Sequence, residues 1–190
     1  MADLSQARVL ILAANGFETV ELFEPKKALE AAGATVTIAS VRTDPIQGMK
    51  QDINPAEQVT PDMTLDDVDT EEFDALVLPG GTCNPDHLRR EQRAVEIVQE
   101  FMEDEKLIAA ICHAPWLLAE ADVIDGRRLT SFKSIRTDLE NAGAEVVDEE
   151  VVIDGNLITS RDPDDLPAFN KAVIAALEEE FAVEEEAEPA

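Results

Sequence analysis

Short apolar runs that end in turns recur along the chain, separated by stretches with helical periodicity. Residues 8–13 form such a run, a helical pattern covers about 18–32, and 34–39 is the next run. Apolar runs of this length are typical of strands that are buried on both faces of a sheet. A strand, a helix and a second strand in this order imply a right-handed parallel crossover. The alternation therefore predicts an α/β fold in which a mostly parallel sheet lies between two helical layers.

The length of 190 residues suits one domain with a single core. We expect residues 1–181 to form this domain. Within it, residues 41–72 are polar, and we interpret them as a looser excursion with short strands and one helical turn. Residues 182–190 are rich in Glu and are predicted to be a disordered acidic tail. The apolar runs are far shorter than the roughly 20 residues that cross a bilayer. Because the N-terminus also lacks the basic and apolar regions of a signal peptide, we expect a cytoplasmic protein without membrane contact.

The charge is strongly negative, with 42 Asp and Glu against 15 Lys and Arg and a formal net charge of −27. Self-repulsion at this level weakens a compact fold in dilute salt, whereas at about 1 M salt the screening length falls to roughly 3 Å. We interpret the composition as an adaptation to a salt-rich cytoplasm, with an ordinary acidic protein as the alternative. In both cases the sequence offers no basic patch for nucleic-acid phosphates or anionic membranes.

The two cysteines, Cys83 and Cys112, are too few for a disulfide scaffold in a chain of this length. The two histidines do not form a clustered metal-binding spacing with them. We therefore expect no metal and no cofactor.

Four turns are expected at the carboxyl edge of the sheet, where ligands bind in open α/β folds. They are residues 14–18, 79–86, 111–115 and 160–162. Each of these turns contains polar or reactive side chains. Their convergence predicts a single site at this edge.

Cys112 follows an apolar run and precedes a helix, between the small residues Ala110 and Ala114. Small flanking residues at a strand-to-helix turn are typical of a nucleophile elbow. The helix N-terminus stabilises a thiolate, and its free N–H groups can bind an oxyanion. A lone cysteine is more often a small core residue. The tight flanks and the adjoining His113, which can move a proton, favour a nucleophile.

Two carboxylates lie in the same set of turns. Glu18 follows the first strand, where a buried carboxyl would have a raised pKa and could donate a hydrogen bond to a thiolate. A helix-capping role is the alternative for Glu18, and sequence alone does not separate the two. Asp86 enters a helix after Gly80 and Gly81, and its spacing alone favours a cap.

Several segments in the expected order resemble the ThiJ/PfpI (DJ-one) superfamily: residues 9–22, 72–81, 110–115 and 154–161. The resemblance covers about residues 8–177 and is strongest to the PfpI branch of intracellular proteases and protein deglycases. It implies a flavodoxin-like three-layer sandwich, a mostly parallel sheet with helices on both faces, and a reactive cysteine at the position of Cys112.

The resemblance also implies roles for other residues. Glu18 matches the glutamate that hydrogen-bonds the cysteine, and His113 matches the histidine of the Cys–His pair. In that branch a carboxylate from a neighbouring subunit orients the histidine, which points to Asp86 and to a homodimer or higher homo-oligomer. The expected substrate- or oxyanion-binding residues are Gly80, Gly81 and Ala114. Ala114 replaces a Gly that is common after the Cys–His pair, which narrows the oxyanion site.

The leading hypothesis is a cysteine-dependent hydrolase whose Cys112 thiolate attacks an electrophilic carbon. The resemblance suggests glyoxal-type aldehydes or their adducts on proteins or nucleotides, as in a deglycase or a glyoxalase-like enzyme. A dyad in a small pocket suits a small electrophile better than an extended peptide, so an intracellular cysteine peptidase is the second hypothesis. A redox sensor or stress chaperone without turnover, in which Cys112 oxidises to a sulfinate, is the third.

Overall fold

A seven-stranded sheet forms the centre of the protein in a computed structural model that describes residues 4–187. The strands are β1 (Arg8–Leu12), β2 (Phe17–Glu18), β3 (Thr35–Ser40), β4 (Ile46–Lys50), β5 (Asn54–Val59), β6 (Met63–Thr64), β7 (Ala75–Leu78), β8 (Leu107–Ile111), β9 (Arg128–Leu129), β10 (Glu145–Val146), β11 (Val151–Asp154) and β12 (Leu157–Ser160). The helices are α1 (Thr19–Ala31), α2 (Cys83–Leu88), α3 (Gln92–Glu103), α4 (Pro115–Glu120), α5 (Arg136–Asn141) and α6 (Leu166–Ala187).

The strand order of the central sheet is β11-β12-β8-β7-β1-β3-β6. Every neighbouring pair is parallel except β11 and β12, which form an antiparallel hairpin. The carboxyl ends of β1, β7, β8 and β12 therefore meet at one edge of the sheet, as the sequence predicted. This is the edge at which open α/β sheets bind ligands.

Alternate residues of the central strands face opposite helical layers, because successive side chains of a strand point to opposite faces. Leu10, Leu76 and Ile108 pack with the buried faces of α3, α4 and α5. Val9 and Val77 belong to the second core cluster, which includes residues of α1 and α6. The predicted three-layer α/β architecture is thus confirmed.

The excursion over residues 41–72 is more ordered than the sequence predicted. The hairpin β4–β5 joins β2 in a separate three-stranded sheet, and β6 extends the central sheet beside β3. The turn of this hairpin contains Gln51 and Asp52, both with left-handed φ angles of 54° and 62°. This turn reaches back to the carboxyl edge of the central sheet, where it lines the candidate site.

The last helix is longer than expected. α6 continues through Ala187, past residue 182, at which the predicted disordered tail begins. Ala and Glu, which dominate this stretch of sequence, are among the strongest helix formers, which accounts for its helical conformation. The final residues of the predicted tail, 188–190, lie outside the described residues.

Candidate active site

Cys112 follows the fully buried strand β8 and has a left-handed φ of 65°. This conformation is strained for a non-glycine residue and is concentrated at functional sites. Two backbone hydrogen bonds hold it: the Cys112 N–H donates to the Ser160 carbonyl at 3.1 Å, and the Cys112 carbonyl accepts from the Phe132 N–H at 2.9 Å. The chain therefore turns sharply here, as the elbow pattern predicted, and presents the sulfur at the edge of the sheet.

Glu21, in the first turn of α1, contacts the sulfur of Cys112 and is completely buried. Its Oε2 atom accepts a hydrogen bond of 2.8 Å from the Gly80 N–H, while Oε1 has no protein partner. Burial raises the pKa of Glu21 to about 8. The carboxyl group is therefore largely protonated near neutral pH and can donate a hydrogen bond to a thiolate.

The cysteine thiol is subject to opposing influences. Burial, followed by the neighbouring Glu21 carboxyl, raises the pKa of Cys112, and the N–H groups of Gly81 and His113 lower it by hydrogen bonding to the sulfur. When Glu21 carries the proton, its repulsion of a thiolate disappears. One proton can thus be held by either group of the pair, which titrates as a unit.

Glu18 does not make the contact that the sequence assigned to it. It precedes α1, and its Oε2 atom accepts a hydrogen bond of 2.8 Å from the Gln51 N–H. Glu21, one helical turn later, occupies the position beside Cys112. The signal was present in the sequence: Glu21, Pro25 and Leu29 are spaced by four residues on the buried face of α1. A carboxylate on an apolar face was the better candidate.

His113 connects the sulfur to a residue that the sequence did not single out. Its Nδ1 atom lies 3.1 Å from the Cys112 Sγ, and its Nε2 atom lies 3.1 Å from the Ser134 Oγ. The imidazole stacks on Phe132, with ring centroids 4.7 Å apart. Burial lowers the pKa of His113, opposed by the negative charge of Asp52. His113 is therefore mainly neutral near pH 7 and can accept the thiol proton.

Asp86 and two of the three predicted oxyanion-binding residues do not present a free group to the sulfur of Cys112. Asp86 is exposed on α2 and is not among the residues that line the cavity beside Cys112. The Gly80 N–H is donated to Glu21, and the Ala114 N–H donates to the Ile111 carbonyl at 3.0 Å. Of the three predicted oxyanion-binding residues, Gly81 is the one whose N–H points to the sulfur.

A glycine is needed at residue 80 because there is no space for a side chain, and not because of its backbone angles. A Cβ atom added to it would lie 2.6 Å from Glu21 Oε2, 2.7 Å from Cys112 Cβ and 2.8 Å from the Ile111 carbonyl oxygen. These separations are far below van der Waals contact. The absence of a side chain at residue 80 therefore allows Glu21 and Cys112 to meet.

A cavity of about 570 Å³ opens beside the sulfur. Its walls come from β2, α1, the end of β4 with the β4–β5 turn, the turns that follow β7 and β8, the segment before α5 and the segment after β12. The lining residues are Glu18, Val20, Glu21, Lys50, Gln51, Asp52, Gly81, Cys112, His113, Phe132, Asp162, Pro163 and Asp164. The cavity combines a nucleophile, a buried acid and a neutral imidazole, a set suited to attack on a small electrophile.

Within residues 4–187, no three His, Cys, Asp or Glu side chains are arranged to hold a metal ion. Among the helices of the same part of the chain, none has the length and apolar character needed to span a membrane.

Residues 7–176 match the model of the DJ-1/PfpI family. The chain belongs to the DJ-1/PfpI family. It is 47% identical over 163 residues to General stress protein 18 of Bacillus subtilis, covering 85% of this chain and 92% of the relative. It is 43% identical over 170 residues to Deglycase PfpI of Pyrococcus furiosus, covering 90% and 99% of the two chains.

The fold of this DJ-1/PfpI protein is likewise that of its solved relatives. The crystal structure of Drosophila melanogaster DJ-1beta superposes with a TM-score of 0.82 and 31% sequence identity, covering 100% of both chains. The flavodoxin-like sandwich implied by the sequence is thus confirmed.

Proposed function

We propose that this protein is a cysteine-dependent hydrolase of glyoxal-type aldehydes or of the adducts that these aldehydes form on proteins or nucleotides. The observation that carries the proposal is the position of the Cys112 sulfur, which contacts the Glu21 carboxyl, lies 3.1 Å from the His113 Nδ1 atom and faces a cavity. The 43% identity to Deglycase PfpI supports this choice of reaction.

In the proposed reaction, His113 accepts the thiol proton and the sulfur attacks the aldehyde carbon. A C–S bond forms, the carbonyl electron pair moves to oxygen, and His113 returns the proton to give a hemithioacetal. His113 then removes the proton from this carbon to give an enediol and returns it to the neighbouring carbon. The hydroxyl proton moves to the oxygen of the neighbouring carbonyl, so the hemithioacetal becomes a thioester that carries a hydroxyl group. Water hydrolyses the thioester to a hydroxy acid and restores the thiol, so methylglyoxal and water yield lactate.

Glu21 and the backbone position the sulfur in this scheme. A protonated Glu21 donates its hydrogen bond to the thiolate without adding charge beside it. The N–H groups of Gly81 and His113 also point to the sulfur, so they lie close to the atom at which the oxyanion forms.

The burial of the nucleophile favours a small substrate. Cys112 is 5% exposed, and the cavity beside it is about 570 Å³. An aldehyde, or a side chain that bears its adduct, fits this space, whereas a peptide bond would have to bring two flanking chains to a recessed sulfur. A deglycase or glyoxalase-like reaction is therefore preferred to a peptidase.

A turnover assay with methylglyoxal tests the proposal. We expect the wild-type protein to form lactate in amounts well above the enzyme concentration, and Cys112→Ala to lose at least about 100-fold of this rate. Cys83→Ala is the matched control, because Cys83 is exposed and outside the cavity, and it should retain the wild-type rate. Aldehyde loss without lactate, or equal rates in both variants, contradicts the proposal.

The assembly is part of the proposal. Asp86 is exposed and lies outside the cavity of its own chain, so any action on His113 requires a second copy. We propose a homodimer or larger homo-oligomer in which this carboxylate approaches the Nε2 side of His113, where Ser134 lies in the single chain.

A further inference from the structure

The mouth of the cavity is lined by charges that are nearly all negative. The carboxylates of Asp52, Asp162 and Asp164, here called the acidic rim, come from the β4–β5 turn and the segment after β12. Glu18 adds a fourth carboxyl group deeper in the wall, and Lys50 is the single lysine or arginine among the lining residues. The rim therefore places a net negative potential across the entrance to the sulfur.

The charges of the rim are not cancelled by the bonds they make within the described residues. Asp52 accepts hydrogen bonds from the N–H and hydroxyl of Thr82, at 2.7 and 3.0 Å. Asp162 accepts from the Asp164 N–H at 3.1 Å. These donors are uncharged, so they hold the Asp52 and Asp162 carboxylates in place without neutralising them.

Three further cations, Lys133, Arg136 and Arg161, line a neighbouring pocket together with Asp162 and Asp164. Arg136 donates to Asp148 at 2.8 Å. The guanidinium of Arg161 donates to Asp165 at 2.8 Å and to Asp148 at 2.9 Å. Its charge is thus satisfied by two carboxylates that do not line the cavity. Arg161 consequently offers little attraction to an anion that enters the site.

The charge of the rim reaches side chains inside the cavity. Burial lowers the pKa of His113 and the charge of Asp52 opposes this, while burial raises the pKa of Glu18 and the charge of Asp52 adds to the rise. A field that reaches these two side chains also reaches a substrate in the space between them. Clefts lined by one sign of charge change the rates of encounter with charged ligands by about 10- to 1000-fold.

We propose that the acidic rim selects electrophiles by charge, so that neutral and cationic ones reach Cys112 and anionic ones are repelled. The inference rests on the proposed role of Cys112 as nucleophile and narrows its substrate class. The favoured substrates are neutral dicarbonyls and their adducts on Lys or Arg side chains. Adducts on nucleotides, and aldehydes that carry a phosphate or carboxylate group, are disfavoured.

Thiol reagents of opposite charge and the same leaving group provide the test. Aminoethyl, methyl and sulfonatoethyl methanethiosulfonates are cationic, neutral and anionic, and each transfers its sulfenyl group to a thiolate with release of methanesulfinate. Cys83→Ser leaves Cys112 as the reacting thiol, and Cys112→Ser leaves Cys83, which is exposed outside the cavity. Cys83 therefore reports the repulsion of the whole chain, with its net charge of −27.

We expect the ratio of cationic to anionic reaction rates to be at least about 10-fold larger at Cys112 than at Cys83 in about 0.1 M salt. In about 2 M salt the two ratios should converge, because the screening length is then only a few ångströms. Equal ratios at the two thiols in 0.1 M salt overturn the proposal.

Neutralising the rim gives a second, independent measurement. In the Cys83→Ser background, Asp164→Asn combined with Asp162→Asn removes two charges, and Asn at 162 can still accept the Asp164 backbone bond. We expect the ratio at Cys112 to fall by at least about threefold. Glu24→Gln combined with Glu57→Gln is the matched control, since it also removes two charges from exposed carboxylates outside the cavity, and it should leave the ratio unchanged. An equal effect of both changes overturns the proposal.

The result is separable from that of the turnover assay. If the reagent ratios follow the rim but methylglyoxal gives no lactate, charge selection stands and the proposed hydrolase activity fails. If lactate forms and the ratios at the two thiols are equal, the hydrolase stands and charge selection fails.

Discussion

The carboxyl group of Glu21 contacts the sulfur of Cys112 in the interior, between the first turn of α1 and the end of β8. Both groups are acids, and neither has free access to water. Ionising both at once is therefore costly, so one of them retains a proton over a wide pH range. Because the fold places the two acids in contact, their protonation affects the stability of the folded protein as well as the reactivity of the thiol.

Glu21→Gln should change how stability depends on pH. The pKa of Glu21 is about 8 in the folded protein and 4.5 for the ordinary side chain. Between these values the unfolded chain has released a proton that the folded chain keeps, so the wild type loses stability as pH rises. Gln does not titrate. The variant should therefore gain on the order of 3–5 kcal/mol relative to wild type between about pH 5 and pH 8.5.

Denaturant unfolding of both proteins across this pH range, at constant high salt, measures the gain. Glu24→Gln serves as the control, since this carboxylate is exposed on the same helix. The difference in the free energy of unfolding between Glu24→Gln and the wild type should stay constant with pH. A constant difference for Glu21→Gln as well would show that Glu21 is not protonated in the folded state.

Gly80→Ala should disable the site. The added methyl group would lie within 2.8 Å of Glu21 Oε2, Cys112 Cβ and the Ile111 carbonyl. Overpacking of this kind costs about 1–3 kcal/mol, and here it separates the acid from the sulfur. We expect at least a 10-fold loss of Cys112-dependent turnover, because about 1.4 kcal/mol corresponds to one factor of ten.

Gly126→Ala is the control for this substitution. Gly126 has a φ of 73° and no heavy atom within 4 Å of an added Cβ, so it tests backbone strain without a clash. We expect a loss of about 1 kcal/mol of stability and unchanged turnover. Full activity in Gly80→Ala would contradict the role assigned to the close approach.

Much of this site was predictable because its signals are local. The apolar strand before Cys112, the small flanking residues and the proline that starts α4 specify a sharp turn, and the structure has it, with φ at 65°. The pairing of Cys112 with His113 follows from adjacency in the chain. Parallel crossovers then bring the predicted turns to one edge of the sheet, as handedness requires.

The parts that sequence reasoning missed depend on where a helix starts and on contacts between distant segments. Placing the buried acid at Glu18 instead of Glu21 is an error of one helical turn, and boundaries are the least certain part of a predicted helix. Ser134 meets His113 because α5 packs near α4, a contact that no local pattern encodes. The β4–β5 turn reaches the cavity through pairing of β4 with β2.

Ser134→Ala should weaken the orientation of His113. Removing the hydroxyl that lies 3.1 Å from Nε2 deletes one hydrogen bond, worth about 0.5–1.5 kcal/mol. We expect a fall of about 2- to 10-fold in kcat with little change in KM, and recovery in Ser134→Thr. Thr137→Ala, at an exposed position on α5, should have no effect.

The pH profile distinguishes positioning from general damage. Burial holds the pKa of His113 below its usual value, so kcat/KM should fall on the acid side at a pH below about 6.5. Ser134→Ala should move this limb, since the hydroxyl contacts the titrating ring. A uniform loss at every pH would argue against a positioning role.

Complementation tests the proposed action of Asp86 across an interface. Asp86→Asn and Cys112→Ala should each be nearly inactive alone. In a mixed two-fold dimer, the Cys112→Ala chain supplies Asp86 to the intact cysteine of its partner, so random mixing should restore about a quarter of the wild-type activity. His87→Ala, an exposed neighbour on α2, is the control and should remain active alone. Full activity of Asp86→Asn, or no recovery on mixing, contradicts the proposed assembly.

We expect salt to stabilise this protein, because the repulsion among its carboxylates should destabilise the fold by more than its ion pairs stabilise it. The net charge is −27, and pairs such as Arg128–Glu149 and Arg8–Glu72 are about half exposed on both sides. Exposed pairs contribute about 0–1 kcal/mol each, so screening them loses little. Screening the net repulsion gains more, and Tm should rise by several degrees between about 0.1 and 2 M KCl at neutral pH.

Repeating the measurement near pH 4.5 provides the control. Many exposed carboxylates are then partly protonated, since their ordinary pKa values are about 4, and the repulsion is smaller. The rise in Tm with salt should shrink accordingly. If Tm is flat or falls with salt at neutral pH, the ion pairs dominate and the acidic composition does not indicate adaptation to salt. If the rise is the same at both pH values, preferential exclusion of the salt, rather than screening of carboxylates, accounts for it.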